Sequence, residues 1–179
     1  IIMISLDLYK VVIYKINISN WQQHKNRILS LVPFSSEKFN AHEELSYSDY
    51  FEKDRHYGDE LLDVIKPHLA DFEKMYKISD FGVPWCQGYL HSDWHSPHNH
   101  GSQGYSCIFY ANYDSEVHQP TEYTAPFPDI FGNIGGARPE VEEGDLVIFP
   151  SFLVHTAPPS GSDKERIIFS FNLKVELPL

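Results

Sequence analysis

A chain of 179 residues suffices for one domain with a sizeable core, and 42% apolar with 15% aromatic residues excludes a disordered composition. The formal net charge of -11, with ten histidines counted neutral, disfavours a basic surface and hence nucleic-acid partners. The opening Ile1-Ile2-Met3-Ile4 is apolar, but Asp7, Lys10 and Lys15 interrupt it, so neither a membrane span nor a secretory leader is expected there. The two cysteines, Cys86 and Cys107, lie among apolar neighbours and read as buried free thiols, which agrees with a reducing, cytoplasmic setting.

Taken in order, residues 8–16 are β-branched and aromatic and predict a strand. Ser19-Asn20 then offer an N-cap for a helix to about Leu31, stopped by Pro33. Residues 34–56 carry few periodic cues and are expected to be irregular, with room for one short strand. Leu61, Leu62, Val64, Ile65, Leu69, Phe72 and Tyr76 space an amphipathic helix over 57–77, with Pro67 kinking or splitting it. After Gly82, short apolar runs alternate with turn residues and predict strands near 84–91, 104–112, 121–125, 145–149, 152–156 and 165–174. The expectation is a single domain over 1–179. A helical and irregular part to about residue 80 would pack on a β-sandwich or barrel at about 81–179.

Alternation along the last predicted strand puts Arg166, Ile168, Ser170 and Asn172 on one face and Ile167, Phe169, Phe171 and Leu173 on the other. The apolar face needs a cover, which the N-terminal helices can supply. Five of the ten histidines fall between 91 and 118, and their centre reads His91-Ser-Asp-Trp-His95-Ser-Pro-His98-Asn-His100. An H-x-H pair at a strand end puts two imidazoles on one side, able to share one cation. His155, delivered by Gly144-Asp-Leu-Val-Ile-Phe-Pro, is the natural third ligand, and such donors with open positions suit Fe(II). Arg166 follows after a turn-rich loop. A hairpin would bring it back beside the strand bearing His155, where its planar fork matches a carboxylate.

His98-x-His100, Tyr105-Ser-Cys-Ile-Phe-Tyr-Ala-Asn, Gly144-Asp-Leu-Val-Ile-Phe-Pro-Ser, His155 and Arg166-Ile-Ile-Phe-Ser-Phe-Asn together resemble the Fe(II)/2-oxoglutarate-dependent dioxygenase superfamily. The nearest look is to prolyl-hydroxylase-like oxygenases, including those encoded by bacteriophages. The likeness covers about residues 84–174. It implies a double-stranded β-helix (a jelly roll, cupin-like) that uses Fe(II), 2-oxoglutarate and dioxygen to hydroxylate a prime substrate, with succinate and carbon dioxide as products. It maps the distal metal histidine to His155, the carboxylate-binding arginine to Arg166 with Ser170 assisting, and a co-substrate tyrosine to Tyr110. Asn172 and His95 would take supporting roles. The departure is at His98-Asn-His100, where the superfamily usually has H-x-D or H-x-E. Either three histidines bind the metal, or the literal H-x-D of His91 and Asp93 takes part.

Two other readings compete. Gly144-x5-Pro150-x4-His155 also resembles a cupin motif of enzymes without 2-oxoglutarate, but Phe152 stands where that motif has glycine. Residues 101–105 also lack its glutamate. A non-enzymatic jelly-roll binding or structural protein would use aromatics such as Tyr47, Tyr50, Phe51 and Tyr57 as a contact surface. Residues 132–136, Gly-Asn-Ile-Gly-Gly, lack the lysine of a phosphate loop and read as a hairpin tip or a mobile loop beside the site.

Overall fold

The computed structural model describes residues 10–32 and 45–176. Pro33, the stretch 34–44 and the first two residues of the strand predicted at 8–16 lie outside the described residues. Strand β1 (Tyr14–Asn17) leads to helix α1 (Trp21–Ser30), and β2 (Tyr47–Ser48) precedes α2 (Gly58–Ile65). Pro67 splits the predicted long helix: a 3-10 turn over Lys66–Leu69 separates α2 from α3 (Ala70–Glu73). Nine strands follow: β3 (Lys77–Phe81), β4 (Trp85–His91), β5 (His95–His98), β6 (Tyr105–Asn112), β7 (Glu122–Thr124), β8 (Gly136–Ala137), β9 (Asp145–Pro150), β10 (His155–Ala157) and β11 (Ser162–Glu176).

The strands form two antiparallel sheets. One runs β1-β9-β6-β11-β4-β2, with β3 pairing the far end of β11; the other runs β5-β10-β7-β8. On β11, Ile167, Phe169, Phe171 and Leu173 face the helices and join Trp21, Ile28, Leu61 and Ile65 in one buried cluster. Ile168 faces the other way and joins Tyr110, Tyr123, Val147, Phe149 and Leu153 between the sheets. The helices thus cover one face of the larger sheet, and the smaller sheet covers the other. Full burial of each phenylalanine contributes about 1.5–3 kcal/mol. Trp21 pins α1 to the sheet, packing edge-on against Phe109 at 4.7 Å and donating Nε1–H to the Ala111 carbonyl at 2.9 Å.

The architecture agrees with the mainly β jelly roll with N-terminal helices read from the sequence; particular elements differ. The helix expected to reach 77 stops at Glu73, because Lys77–Phe81 pairs with β11. The strand expected at 152–156 starts only at His155, because Leu153 N–H closes a turn onto the Pro150 carbonyl. Asn20 starts α1 but makes no capping bond, its amide oxygen instead meeting His68 Nε2 at 3.0 Å. The expected hairpin between the His155 and Arg166 strands does not form. β10 pairs β5 and β7 in the smaller sheet, while β11 pairs β3, β4 and β6 in the larger. The chain crosses between sheets after Ala157, so Arg166 and His155 stand on different sheets. No helix among the described residues is long and apolar enough to cross a membrane.

Candidate metal centre

Between the two sheets lies a cavity of about 220 Å³. The larger sheet lines it with Trp85, Gln87, Tyr89, Ile108, Ile168 and Ser170; the smaller contributes His95, His98, His155 and Ala157. His98 ends β5 and sits in register with His155 on β10, and His100 follows in the turn. The backbone N–H of His100 is tied to the Ser151 carbonyl at 2.8 Å. One ring nitrogen from each of His98, His100 and His155 lies within 4.8 Å of the others, an arrangement that can hold a metal ion.

Hydrogen bonds fix two of the three tautomers. His155 Nδ1–H donates to the Leu153 carbonyl at 3.0 Å and His98 Nδ1–H to the Ser96 carbonyl at 2.7 Å, so each keeps its Nε2 lone pair free. His95 has the opposite tautomer, because its Nδ1 accepts from Gln87 Nε2 at 3.2 Å. Burial holds His155 down at about 3 and His100 and His95 at about 4, with neighbouring imidazoles adding to the effect.

Behind Tyr89, which lines the cavity, stands Arg166, 2% exposed, its guanidinium stacked 4.1 Å from the Tyr89 ring centre. Nη1 donates to the carbonyls of Gln119 at 2.6 Å and Pro158 at 3.1 Å, but Nε and Nη2 have no hydrogen-bond partner. Those two nitrogens share one edge of the planar group, the edge that grips a carboxylate with two parallel bonds. Among the described residues Arg166 makes no ion pair, and burial lowers its pKa. A buried cation with an open fork calls for an anion.

The scan against family models matches residues 84–172 to the family described as "Putative 2OG-Fe(II) oxygenase". The chain belongs to the 2-oxoglutarate/Fe(II) oxygenases. No curated protein matches the sequence. Among solved structures, a Pseudomonas putida prolyl-4-hydroxylase aligns with TM-score 0.56 at 15% identity over 92% of each chain. A viral collagen prolyl hydroxylase from Paramecium Bursaria Chlorella virus-1, in complex with 2-oxoglutarate, aligns with TM-score 0.59 at 13% identity, covering 92% of this chain and 96% of its own. A Trichoplax adhaerens prolyl hydroxylase, bound to a hypoxia inducible factor peptide fragment, aligns with TM-score 0.59 at 11% identity, covering 90% and 83%. At these identities the likeness is one of fold.

This oxygenase therefore uses Fe(II) and 2-oxoglutarate, and the readings as a non-enzymatic protein or as a cupin enzyme without 2-oxoglutarate fall away. The residues present suit both groups. Neutral imidazoles are good donors to Fe(II), and the unpartnered Arg166 edge suits a dicarboxylate.

The other sequence candidates are placed as follows. Ser170 lines the cavity and donates Oγ–H to Gln87 Oε1 at 3.3 Å. His91 and Asp93 stay apart from the three imidazoles. His91 is exposed, with φ 37°, and its Nδ1 lies 3.4 Å from Asp163, while Asp93 accepts from Leu90 N–H at 2.7 Å and from Ser46 to close the β4–β5 turn. Tyr110 is buried beside Arg166, but its hydroxyl both donates to Thr121 Oγ1 and accepts Thr121 N–H, each at 3.1 Å. Of that pair, Thr121 lines the cavity. Asn172 accepts from Ser106 Oγ at 2.8 Å, and Ser106 meets Ser151 Oγ at 3.0 Å, which braces the turn that anchors His100. His118, doubly hydrogen-bonded to Asp114 N–H and the Lys164 carbonyl, is structural.

Sequence reasoning missed Gln87, Tyr89 and Thr121. Alternation along β4 carries the signal for the first two, since Trp85, Gln87 and Tyr89 share a face.

The depressed imidazole pKa values make metal-free stability pH-dependent. Below the unfolded value of 6.5 the unfolded chain takes up protons that His155, His100 and His95 refuse until about 3 to 4, so unfolding gains protons. Their stabilising contribution is complete above 6.5 and is lost as pH falls. Urea midpoints of metal-free protein should therefore drop between about pH 6.5 and 5, before most carboxylates titrate. A flat profile in that window would contradict neutral burial of the three rings.

Proposed function

We propose that this oxygenase hydroxylates an aliphatic C–H bond of a prolyl or other amino-acid side chain. In this reading His98, His100 and His155 hold Fe(II), and Arg166 with Ser170 holds the distal carboxylate of 2-oxoglutarate. One observation carries it: three metal-competent imidazoles line a cavity, and behind its lining residue Tyr89 lies a buried guanidinium with an open carboxylate-gripping edge. When bound, the iron and the 2-oxo acid supply oxidising power from dioxygen, one oxygen atom going to the substrate C–H and the other to succinate as carbon dioxide leaves.

The chain's own residues orient the reactants and exclude water. The Leu153 and Ser96 carbonyls hold the rings of His155 and His98 with Nε2 turned inward. The Gln119 and Pro158 carbonyls and the face of Tyr89 hold Arg166 still, so little ordering remains to be done when the acid arrives. Ile108, Ile168 and Ala157 make the middle of the cavity apolar. The preference for an amino-acid side chain draws on the structural relatives, which are named as prolyl hydroxylases.

The test is anaerobic addition of 2-oxoglutarate to Fe(II)-loaded protein, followed by admission of air. The expected results are a visible charge-transfer band on addition and succinate on oxygenation. An iron-loaded protein that gives no band would sink the reading.

A further inference from the structure

An aromatic surface runs outward from the imidazoles. His100 lies against Trp85 at 5.7 Å, Trp85 meets Tyr50 edge-on at 5.2 Å, and Tyr50 meets Phe51 edge-on at 5.0 Å. Exposure climbs along this path from Trp85 at 7% to Tyr50 at 49% and Phe51 at 63%, and all three line the cavity. Two large rings held half-wet at the mouth give up burial energy that core positions would return.

Their position is enforced by Asp49, which is fully buried although the proposed chemistry makes no use of it. Its carboxylate accepts the Tyr57 hydroxyl at 2.6 Å and Cys86 N–H at 2.7 Å. Its backbone N–H donates to the Cys86 carbonyl at 3.3 Å and its carbonyl accepts Glu52 N–H at 2.9 Å. One residue thus locks the 49–52 turn, with both rings on it, against β4 next to Trp85.

The lining also restricts charge. It includes no Asp, Glu, Lys or Arg. A free amino acid would bring an ammonium and a carboxylate into this space with no partner for either, at a cost of several kcal/mol. A residue inside a polypeptide brings only neutral amides. The mouth also lies between two strands that, among the described residues, end their sheets, β2 and β5, each of which contributes lining residues. Sheet edges are where an extended chain finds backbone partners.

We propose that Trp85, Tyr50 and Phe51 form the prime-substrate wall, that this wall takes an uncharged residue within a polypeptide, and that Asp49 is the positioning residue that holds it. The proposal deepens the oxygenase reading and rests on it.

The experiment uses full-length protein loaded with Zn(II) and 2-oxoglutarate, which cannot turn over. The probes are the capped peptide acetyl-Gly-Ala-Pro-Ala-Gly-amide and free L-proline, followed by tryptophan fluorescence with Trp85→Phe identifying the responding ring. The peptide should bind saturably and free proline should not. Phe51→Ala and Tyr50→Ala should weaken the peptide about five- to tenfold, the range expected for losing one ring contact. Asp49→Ala should weaken it similarly, and Asp49→Asn should restore binding, because the amide oxygen still accepts Cys86 N–H. Equal binding of free proline, no saturable peptide binding, or indifference to Phe51→Ala would each overturn the proposal. Phe51 is exposed, so its variant stays informative even if the Asp49 variants fold poorly. The Fe(II)–2-oxoglutarate band in parallel samples separates the two readings. A band without peptide binding removes only the wall, whereas no band removes the oxygenase reading beneath it.

Discussion

Replacing His155 by alanine should abolish the charge-transfer band of the anaerobic Fe(II)–2-oxoglutarate complex. His155 is the one member of the imidazole group contributed by β10, and at 4% exposure its ring is held between Phe149 at 4.6 Å and His98 at 4.3 Å. The remaining pair, His98 and His100, come from one strand end and the turn after it, so they approach a cation from one side only. Losing a partner outside the coordination shell costs about 10- to 100-fold in metal affinity, and losing a ligand should cost more than that. A chelator-competition titration measures it. The loss should be specific to the metal, because alanine leaves a cavity beside Phe149 that destabilises by about 2–4 kcal/mol without unfolding a sound domain. A full band in folded His155→Ala would remove His155 from the site.

Arg166→Met should weaken 2-oxoglutarate binding by roughly 30- to 1,000-fold, the effect of about 2–4 kcal/mol expected for truncating one side of a buried charge pair. Metal binding should persist. Stability of the ligand-free protein should change little, because two effects oppose each other. Methionine removes a buried cation that has no counter-ion, yet leaves the Gln119 and Pro158 carbonyls without their donor. Arg166→Lys should fall between, since one ammonium cannot satisfy two carbonyls and still present a two-pronged edge to a carboxylate. The reading is the 2-oxoglutarate concentration at half-maximal band, set beside the thermal midpoint without ligand. Wild-type affinity in Arg166→Met would show that the acid is held elsewhere.

Much of this molecule is legible in its residues because the relevant signals are local. The alternation over 166–173 sorts β11 into an interior face with Arg166 and Ser170 and a helix-covered face with Phe169 and Phe171, and period-2 geometry allows no other sorting. The apolar period of α2 and the break at Pro67 are equally local. The strand β5, reading His-Ser-Pro-His, is invisible to pattern, since it has no apolar alternation and carries a proline that only an edge position tolerates. The choice between the two H-x-H/D sets could not be made from spacing either. What the fold adds is that Asp93 spends its carboxylate on the β4–β5 turn, while register puts His98 opposite His155.

The sequence by itself determined the layered β architecture, the histidine-rich metal motif and the resemblance to the oxygenases, because strand period, residue chemistry and motif order are properties of the chain. Only the tertiary structure decided which imidazoles meet, that His155 and Arg166 stand on different sheets, that Thr121 instead of Tyr110 reaches the cavity, and that Asp49 ties the 49–52 turn to β4. Those facts depend on contacts between residues as far apart as His98 and His155, or Asp49 and Cys86. Long-range packing and register set such contacts, and no local pattern encodes them.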